Sequence, residues 1–173
     1  GSNILTKPGG ELLKNLKESL FKGLIFVVNP KEKEVQGIPA VPSVQDLPEV
    51  DLAIFAIPAA FCAEGIEFLA QNRNTRAFIV ISAGFSETSL EGKIMEERMA
   101  RAVDEVGGTL IGPNCIGMMN IFHTSVFTTP IPLLWPRGCD FISGSGATAV
   151  FIMEAGIPKG LRFSSIWSVG NSA

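Results

Sequence analysis

The segments AFIVISAG at residues 77–84 and TLIGPNC at residues 109–115, with a charged segment between them at residues 90–106, decide the fold. The first two are short apolar runs that end in small or polar residues, as strands buried on both faces do. The charged segment repeats its apolar residues at helical spacing. A strand, a helix and a second strand in this order form parallel strands joined by a right-handed crossover. We therefore predict an α/β protein with an open parallel sheet.

The same alternation extends toward the N-terminus. Apolar runs at residues 24–28 and 51–57 predict two further strands, and apolar spacing at residues 11–21 and 59–73 predicts two helices. The proline-containing segment at residues 31–48 predicts a long loop with one short turn. No strand is predicted before the first glycines of the chain, so we expect the usual first strand of the sheet to be missing.

The composition changes near Thr128. The segment TPIPLLWPRG at residues 129–138 is rich in proline and has no period, which is typical of an interdomain linker. The residues after it predict a strand, a helix and a strand, at residues 139–142, 147–155 and 163–169. We therefore predict a first domain at residues 1–128 and the start of a second α/β domain at residues 139–173.

Charge and composition exclude several classes of function. The net charge of -3 gives no support for nucleic-acid binding, and no apolar run reaches the roughly 20 residues that span a bilayer. No signal peptide is evident. The three cysteines, Cys62, Cys115 and Cys139, are odd in number and widely spaced, which argues against a disulfide framework or a zinc site. We expect a cytoplasmic protein without a metal; its single histidine, His123, is expected at the surface or at an interface.

The residues that follow the predicted strands are the candidates for ligand binding, because ligands of open parallel sheets bind beyond the carboxyl ends of the strands. Lys7-Pro8-Gly9-Gly10 precedes a helix. Backbone N–H groups at a helix N-terminus attract phosphate, and Lys7 adds a full positive charge. A plain helix start with a flexible lead-in explains the same residues about equally well.

The segment GSGATA at residues 144–149 fits the G-x-G-x-x-A dinucleotide pattern at the start of a helix. An NAD site would need a carboxylate near the end of the next strand, and the segment SVGNS at residues 168–172 has none. We therefore disfavour NAD here. A helix N-terminus with the hydroxyls of Ser143 and Ser145 still suits a phosphate or a phosphorylated group.

Other reactive side chains have less specific surroundings. Cys115 lies either near a ligand or in an ordinary buried position, which is the commoner fate of a free cysteine. No base for a cysteine nucleophile is indicated, since His123 is the only histidine. The pair Glu96-Glu97 predicts a solvated helix face rather than acid–base chemistry.

Taken in order, the loops after the strands resemble the coenzyme-A-binding domain shared by succinyl-CoA synthetase α subunits and ADP-forming acetyl-CoA synthetases, which are NDP-forming acyl-CoA synthetases. The resemblance spans nearly the whole chain, and its most specific segment is the one around Gly112-Pro113-Asn114-Cys115. It implies a Rossmann-like domain followed by the start of a flavodoxin-like α/β domain. The other matching segments are Lys7-Pro8-Gly9, Val28-Asn29-Pro30-Lys31, Ala56-Ile57-Pro58-Ala59-Ala60-Phe61-Cys62, Ile81-Ser82-Ala83-Gly84-Phe85 and Ile142-Ser143-Gly144-Ser145-Gly146.

The resemblance implies a role for each loop. The glycine-rich loop would hold the phosphates of coenzyme A, the loop after the first predicted strand would lie by the adenosine, and the later loops would follow the pantetheine arm to the thiol. In that order these residues are Lys7, Pro8, Gly9 and Gly10; Asn29, Pro30 and Lys31; Ile57, Pro58, Ser82, Ala83 and Gly84; and Asn114 and Cys115. The loop Ser143, Gly144, Ser145 and Gly146 resembles one whose helix N-terminus stabilises a phosphohistidine.

The resemblance also implies a reaction. In the family, an acyl-CoA reacts with phosphate to give an acyl phosphate, a histidine takes the phosphoryl group, and a nucleoside diphosphate on an ATP-grasp domain receives it. The implied activity is that of an acid–thiol ligase, an oligomer whose nucleotide and Mg²⁺ lie on a separate or fused ATP-grasp partner. His123 does not match the phosphorylated histidine, so we expect this chain to be inactive alone. Thr6 stands where the family usually has a glycine.

Two other functions remain open from the sequence. Similar coenzyme-A-binding domains are fused to protein acetyltransferase domains, where they act as regulatory modules. A Rossmann module that binds NAD(H) is the other alternative.

Overall fold

The structure is a computed structural model that describes residues 1–129 and 131–172. The predicted linker at residues 129–138 includes Pro130, which lies outside the described residues. The helices are α1 (Pro8–Glu18), α2 (Cys62–Asn72), α3 (Leu90–Asp104) and α4 (Gly146–Gly156). The strands are β1 (Val27–Val28), β2 (Glu34–Val35), β3 (Ile38–Val41), β4 (Leu52–Phe55), β5 (Ala77–Val80), β6 (Thr109–Ile111), β7 (Gly117–Asn120), β8 (His123–Val126), β9 (Cys139–Ser143) and β10 (Phe163–Ser168).

The predicted parallel sheet is confirmed in the middle of the chain. Strands β4, β5 and β6 pair in that order, all parallel, and α2 and α3 form the crossovers. Alternate residues of β4 point to opposite faces: Ala53 and Phe55 pack under α2 and α3, whereas Leu52 and Ile54 pack with Leu12 of α1. The sheet is buried on both faces, which explains its continuous apolar runs.

The N-terminal helix begins and ends earlier than predicted. It starts at Pro8 rather than at residue 11, because proline suits the first helical position, where its missing N–H has no partner to lose. It ends at Glu18 rather than at residue 21, since Ser19 is extended and donates its hydroxyl to Leu16 O at 2.7 Å. Gly9 and Gly10 therefore lie inside the helix, and not in a loop before it.

The region predicted as a strand and a long loop contains a small sheet instead, in the order β1-β3-β2. Only two residues of the predicted strand at residues 24–28 pair, and Leu24 is 84% exposed. The predicted loop at residues 31–48 contains the hairpin of β2 and β3. Its turn residues, Gln36 and Gly37, have φ angles of 51° and 80°, the double positive φ of a hairpin turn whose twist matches its strands.

The parallel pair β1 and β3 belongs to one sheet, and the parallel strands β4, β5 and β6 belong to another. Strand β1 pairs only with β3, and β4 pairs only with β5, so each has a free edge within the described residues. The terminal amino group of Gly1 donates to Val28 O at 3.2 Å, beside the end of β1. That the first strand of the sheet is missing stays a prediction; in a Rossmann sheet that strand lies between the two halves.

A third sheet joins the last strands to a hairpin that the sequence did not predict. Its order is β8-β7-β10-β9, with β9 and β10 parallel and the others antiparallel. This sheet includes strands from both predicted domains, and the division at residues 128 and 139 stays a prediction. No helix in the described residues is long and apolar enough to cross a membrane.

His123, predicted at the surface or at an interface, is buried and does not lie at the surface. All four residues of β8 are buried, because the strand packs against α1. The His123 ring lies edge-on to Phe21, with ring centroids 5.5 Å apart. Burial lowers the pKa of His123 from its ordinary value of 6.5.

Candidate functional site

A cavity of about 810 Å³ lies beyond the carboxyl ends of β4 and β5, where the N-termini of α1 and α4 also meet. This is the position at which open parallel sheets bind ligands. The cavity is lined by Gly1, Ser2, Lys7, Pro8, Gly9, Ala56, Ile57, Pro58, Ile81, Ser82, Ala83, Asn114, Cys115, Ile116, Phe127, Gly144, Ser145, Gly146 and Ala147.

The start of α1 forms one wall. Lys7 is the N-cap residue, and its carbonyl accepts from the amides of Gly10 at 2.9 Å and Glu11 at 3.1 Å. Pro8 has no N–H. Gly9 lies in the first turn of the helix, where amides have no acceptor within the helix. The described residues show no backbone acceptor for its amide outside the helix either. The start of α1 therefore offers one amide and one ammonium group, fewer backbone donors than the sequence suggested.

The start of α4 forms another part of the wall. Ser145 caps this helix: its hydroxyl accepts from Thr148 N at 3.2 Å, and its carbonyl accepts from Ala149 N at 3.0 Å. No such bond is found in the described residues for the amides of Gly146 and Ala147, and both residues line the cavity. Two donors and the positive end of the helix dipole thus lie at the cavity that Lys7 also lines.

The electrostatic character of the cavity is that of an anion site. None of its lining residues is Asp or Glu, and the only basic side chain among them is Lys7. A bound anion would therefore meet the Lys7 ammonium group and two helix N-termini without a like charge from the lining side chains. The cavity has this character even though the whole chain carries a net charge of -3.

The loops after β4, β5 and β6 hold one another by hydrogen bonds. The Ser82 hydroxyl donates to Ile57 O, and the Asn114 amide donates to Ser82 O at 2.8 Å. Gly112 has a φ of +99°, and a Cβ there would lie 2.3 Å from Val80 O. Glycine is therefore required at position 112, where the loop after β6 passes close to the end of β5.

Cys115 lies in this wall as a neutral thiol. Its Sγ donates to Val80 O at 3.3 Å, and burial raises its pKa to about 11. A thiol with this pKa is almost wholly protonated at neutral pH and is a poor nucleophile. Of the two interpretations of Cys115 from the sequence, the structure favours a buried residue that also contacts the cavity.

The structure brings together most, but not all, of the predicted site residues. Twelve of them line the cavity: Lys7, Pro8, Gly9, Ile57, Pro58, Ser82, Ala83, Asn114, Cys115, Gly144, Ser145 and Gly146. Six do not: Gly10, Asn29, Pro30, Lys31, Gly84 and Ser143. A Cβ on Gly10 would lie 2.1 Å from Ile4 O, so Gly10 faces the chain before the helix.

The segment Asn29-Pro30-Lys31 forms a turn at the rim instead. The Asn29 side-chain oxygen accepts from the amides of Lys31 at 2.9 Å and Glu32 at 3.0 Å, and its amide donates to Gly1 O at 3.2 Å. Gly1 itself lines the cavity. Asn29 is therefore one contact away from the cavity.

Several lining residues escaped the sequence analysis. Ala56 and Ile81 lie near the ends of their predicted strands, and only the structure shows that the cavity reaches back to them. Phe127 follows β8 in the hairpin that was not predicted, so no local pattern could have placed it here. Ile116 supports the start of α4, because a Cβ on Gly146 would lie 2.4 Å from its Cγ2 atom.

Comparison with known proteins gives consistent matches. The sequence profile of the CoA binding domain family matches residues 2–121. The chain is 39% identical over 173 residues to the α subunit of ADP-forming acetate–CoA ligase II of Pyrococcus furiosus, covering 99% of this chain and 37% of that protein. It is 37% identical over 171 residues to ADP-forming acetate–CoA ligase I of Archaeoglobus fulgidus, covering 96% of this chain and 24% of that protein.

A solved structure agrees in fold. Dinucleotide-forming acetyl-coenzyme A synthetase 1 of Candidatus Korarchaeum cryptofilum, in complex with phosphate and ADP, matches with a TM-score of 0.88 and 30% identity, over 99% of this chain and 37% of that one. The chain thus spans between about a quarter and two fifths of the length of these relatives.

Proposed function

Because the chain belongs to the family of CoA binding domains, we propose that its cavity binds coenzyme A within an ADP-forming acyl-CoA synthetase. The observation that carries this proposal is the charge distribution of the cavity. Lys7 and the N-terminus of α4 face the same space, and no carboxylate lines it. Coenzyme A brings several phosphate charges and a long, largely neutral arm, which suits a cavity whose lining holds Lys7, two helix N-termini and otherwise uncharged side chains.

We propose the following course for the coenzyme. Lys7 and the Gly9 amide bind its phosphates, and the turn Asn29-Pro30-Lys31 lies at the rim by the adenosine. The pantetheine arm passes along Ile57-Pro58 and Ser82-Ala83. Its thiol end reaches Asn114 and Cys115, where a neutral Cys115 can contact the thioester sulfur without competing as a nucleophile.

The loop before α4 is proposed to bind inorganic phosphate or a phosphoryl group. Ser143 and Ser145 order this loop, because the Ser143 hydroxyl donates to Ser145 O at 2.9 Å and accepts from Ser145 N at 3.2 Å. The free amides of Gly146 and Ala147 then point at an anion in the cavity. A phosphate held there lies in the same cavity as the thioester end, as attack on an acyl-CoA to give an acyl phosphate requires.

The remainder of the enzyme is also a proposal. Nucleotide and Mg²⁺ belong to an ATP-grasp partner, separate or fused, in an oligomer, and this chain alone does not complete the reaction. The division into residues 1–128, a linker at 129–138 and a second α/β domain from residue 139 completes the proposed organisation.

Titration calorimetry with coenzyme A tests the proposal. Lys7→Ala removes the one basic side chain in the lining, and a hydrogen bond to a charged group contributes about 1.5–3 kcal/mol. We therefore expect coenzyme A to bind the variant roughly tenfold more weakly or worse. Lys93→Ala is the matched control, because Lys93 lies on α3 in an exposed pair with Glu97 and outside the cavity. Equal affinities in the two variants would contradict the proposed phosphate contact, and no binding by the unchanged chain would contradict the function itself.

A further inference from the structure

Asn171, which follows β10, is bonded to several parts of the cavity wall at once. Its backbone amide donates to Pro113 O at 2.9 Å, in the loop that carries Asn114 and Cys115. Its side-chain Nδ2 lies 2.6 Å from Glu87 Oε2 and 3.0 Å from Glu96 Oε2. Its Nδ2 atom also lies 3.2 Å from Ser86 Oγ, and its Oδ1 atom accepts from Asn114 Nδ2 at 3.4 Å. Three separate stretches of the sequence therefore converge on one residue.

The backbone around Asn171 is built for this close approach. Gly170 has a φ of +58°, and a Cβ there would lie 2.0 Å from Pro113 O and 2.8 Å from Asn114 O. Only glycine allows the turn to come this near to the loop. The position of the Asn171 side chain is therefore set by the fold and does not depend on its own contacts alone.

Glu87 carries the contact onward to the cavity wall. Its Oε1 atom accepts from Gly84 N at 2.6 Å and from Phe85 N at 3.2 Å. Burial by itself would raise the pKa of Glu87, but the hydrogen bonds from Gly84 N and Asn171 Nδ2 hold that pKa below its ordinary value. Glu87 is thus a carboxylate that orders the loop directly after Ser82 and Ala83, both of which line the cavity.

Glu96 is a second carboxylate that needs a donor from position 171, and an amide side chain supplies one. Predicted on a solvated helix face, Glu96 is instead buried, and its Oε2 atom accepts from Ser86 N at 3.2 Å and from Asn171. Two carboxylates therefore share one amide nitrogen. The NH₂ group of asparagine has two hydrogens, one for each carboxylate, whereas an aspartate of the same shape would add a third acceptor and a third negative charge.

The same turn also contacts the loop before α4. Val169, two residues before Asn171, donates its amide to Ser143 O at 2.9 Å, and Ser168 pairs with Ser143 across β10 and β9. Ser143 orders the loop before α4. The segment at residues 168–171 is therefore bonded both to the proposed phosphoryl loop and to the loops proposed for the pantetheine arm.

We propose that Asn171 is a positioning residue for the coenzyme A site: its amide bridges Glu87 and Glu96 and so holds the loop at residues 82–87 in register with the loop at residues 112–115. This inference rests on the proposed function. Among the cavity-lining side chains that the structure describes, Asn171 bonds only to that of Asn114. It therefore acts on the coenzyme through the loops that it holds.

Calorimetric titration of coenzyme A into variants of the chain tests this inference. Asn171→Asp, which keeps the shape and loses the donor, is expected to weaken binding roughly tenfold or more. The double variant Asn171→Asp with Glu87→Gln moves the amide to the other partner. The new amide at position 87 can still accept from Gly84 N through its oxygen, and its nitrogen can donate to the new carboxylate at position 171. We expect this swap to recover part of the lost affinity, because one of the two bridging contacts is restored.

Asn120→Asp is the matched control for the change of an amide to a carboxylate. The Asn120 side-chain oxygen accepts from Phe122 N at 2.9 Å, and an aspartate accepts in the same way. Asn120 does not line the cavity. We therefore expect the control to bind coenzyme A as the unchanged chain does.

Rescue by the swap is the readout that a merely structural role would not give. Thermal unfolding of each variant shows whether it is folded; should Asn171→Asp not fold, Asn171→Ala, which adds no charge, is expected to weaken binding about threefold. Affinity in a folded Asn171 variant equal to that of the unchanged chain would overturn the inference, as would a folded swap variant that recovers nothing. Failure of the unchanged chain and the control to bind coenzyme A would overturn the proposed function instead.

Discussion

Single backbone positions decide how closely the loops of the cavity approach each other. Gly112 has a φ of +99°, and a Cβ at this position would lie only 2.3 Å from Val80 O. Gly107 also has a positive φ, of +64°, but a Cβ there would meet nothing within 4 Å. Alanine substitutions at these two positions therefore distinguish the free-energy cost of a positive φ from the cost of a steric clash.

We expect Gly112→Ala to lower the free energy of unfolding by about 3 kcal/mol or more, because the strained φ and the backbone clash add. Gly107→Ala, the matched control, carries only the φ cost, about 1–2 kcal/mol. Urea unfolding of both variants measures the difference. Equal losses would show that the loop at residues 112–115 moves away from β5 at little cost.

Most residues of the candidate site are predictable because they follow strands that sequence patterns reveal. Ser82 and Asn114 lie where such loops were expected, whereas Lys7 was predicted from the glycines and the helix that follow it. Glu96 was misassigned for a physical reason: it is buried and accepts a hydrogen bond from Asn171, 75 residues away in the chain, and helical periodicity contains no information about such a distant partner. Phe127 could not be predicted either, because its place depends on how two sheets meet.

Among the elements, predictability followed the continuity of the apolar pattern along each strand. Strands β4, β5 and β6 were predicted because burial on both faces gives a continuous apolar run. The hairpin of β2 and β3 was missed because Pro39 interrupts its strand pattern and its turn is Gln36-Gly37 instead of a common Asn-Gly pair. The hairpin of β7 and β8 was missed because the residues of β8, His123-Thr124-Ser125-Val126, are mostly polar although all four are buried.

Strand β8 makes the stability of the fold depend on pH. The ring of His123, the first residue of β8, packs against the Phe21 ring. Its Nε2 atom is buried without a hydrogen-bond partner in the described residues. Its pKa in the folded chain is lowered below 6.5 by burial, so below that pH the unfolded chain binds the proton more readily than the folded one. The stabilisation is thus complete above about pH 6.5 and is lost as the pH falls from there through the lowered pKa.

We expect the urea midpoint of the chain to be lower at about pH 5.5 than at about pH 7.5. His123→Phe keeps a ring beside Phe21 and removes the titrating group, so its midpoint should fall less over the same range. Measuring both proteins at both pH values corrects for the carboxylates, which they share. An identical pH dependence in the two would mean that His123 is as solvated when folded as when unfolded.

On the scale of the whole molecule, the separation of β1 from β4 leaves two strand edges that face no partner strand in the described residues. Both edges belong to parallel strands, and Val28 O, which accepts from the Gly1 amino group, is the one edge group for which the described residues show a protein partner. Unpaired edges of this kind tend to pair with a second chain.

We therefore expect the isolated chain to self-associate as its concentration rises, which light scattering after size-exclusion chromatography would detect. A constant monomer mass over roughly a hundredfold range of concentration would contradict this. Coenzyme A at saturation is a useful comparison, because the proposed site lies at the strand ends and leaves the edges free, so self-association should persist.

The free edges of β1 and β4 also have a use in engineering. A donated peptide of β-branched residues, running parallel to either strand, would extend the backbone ladder there. Stability could then be controlled from outside the polypeptide, so that the domain becomes a split reporter that assembles when its complementing strand is supplied.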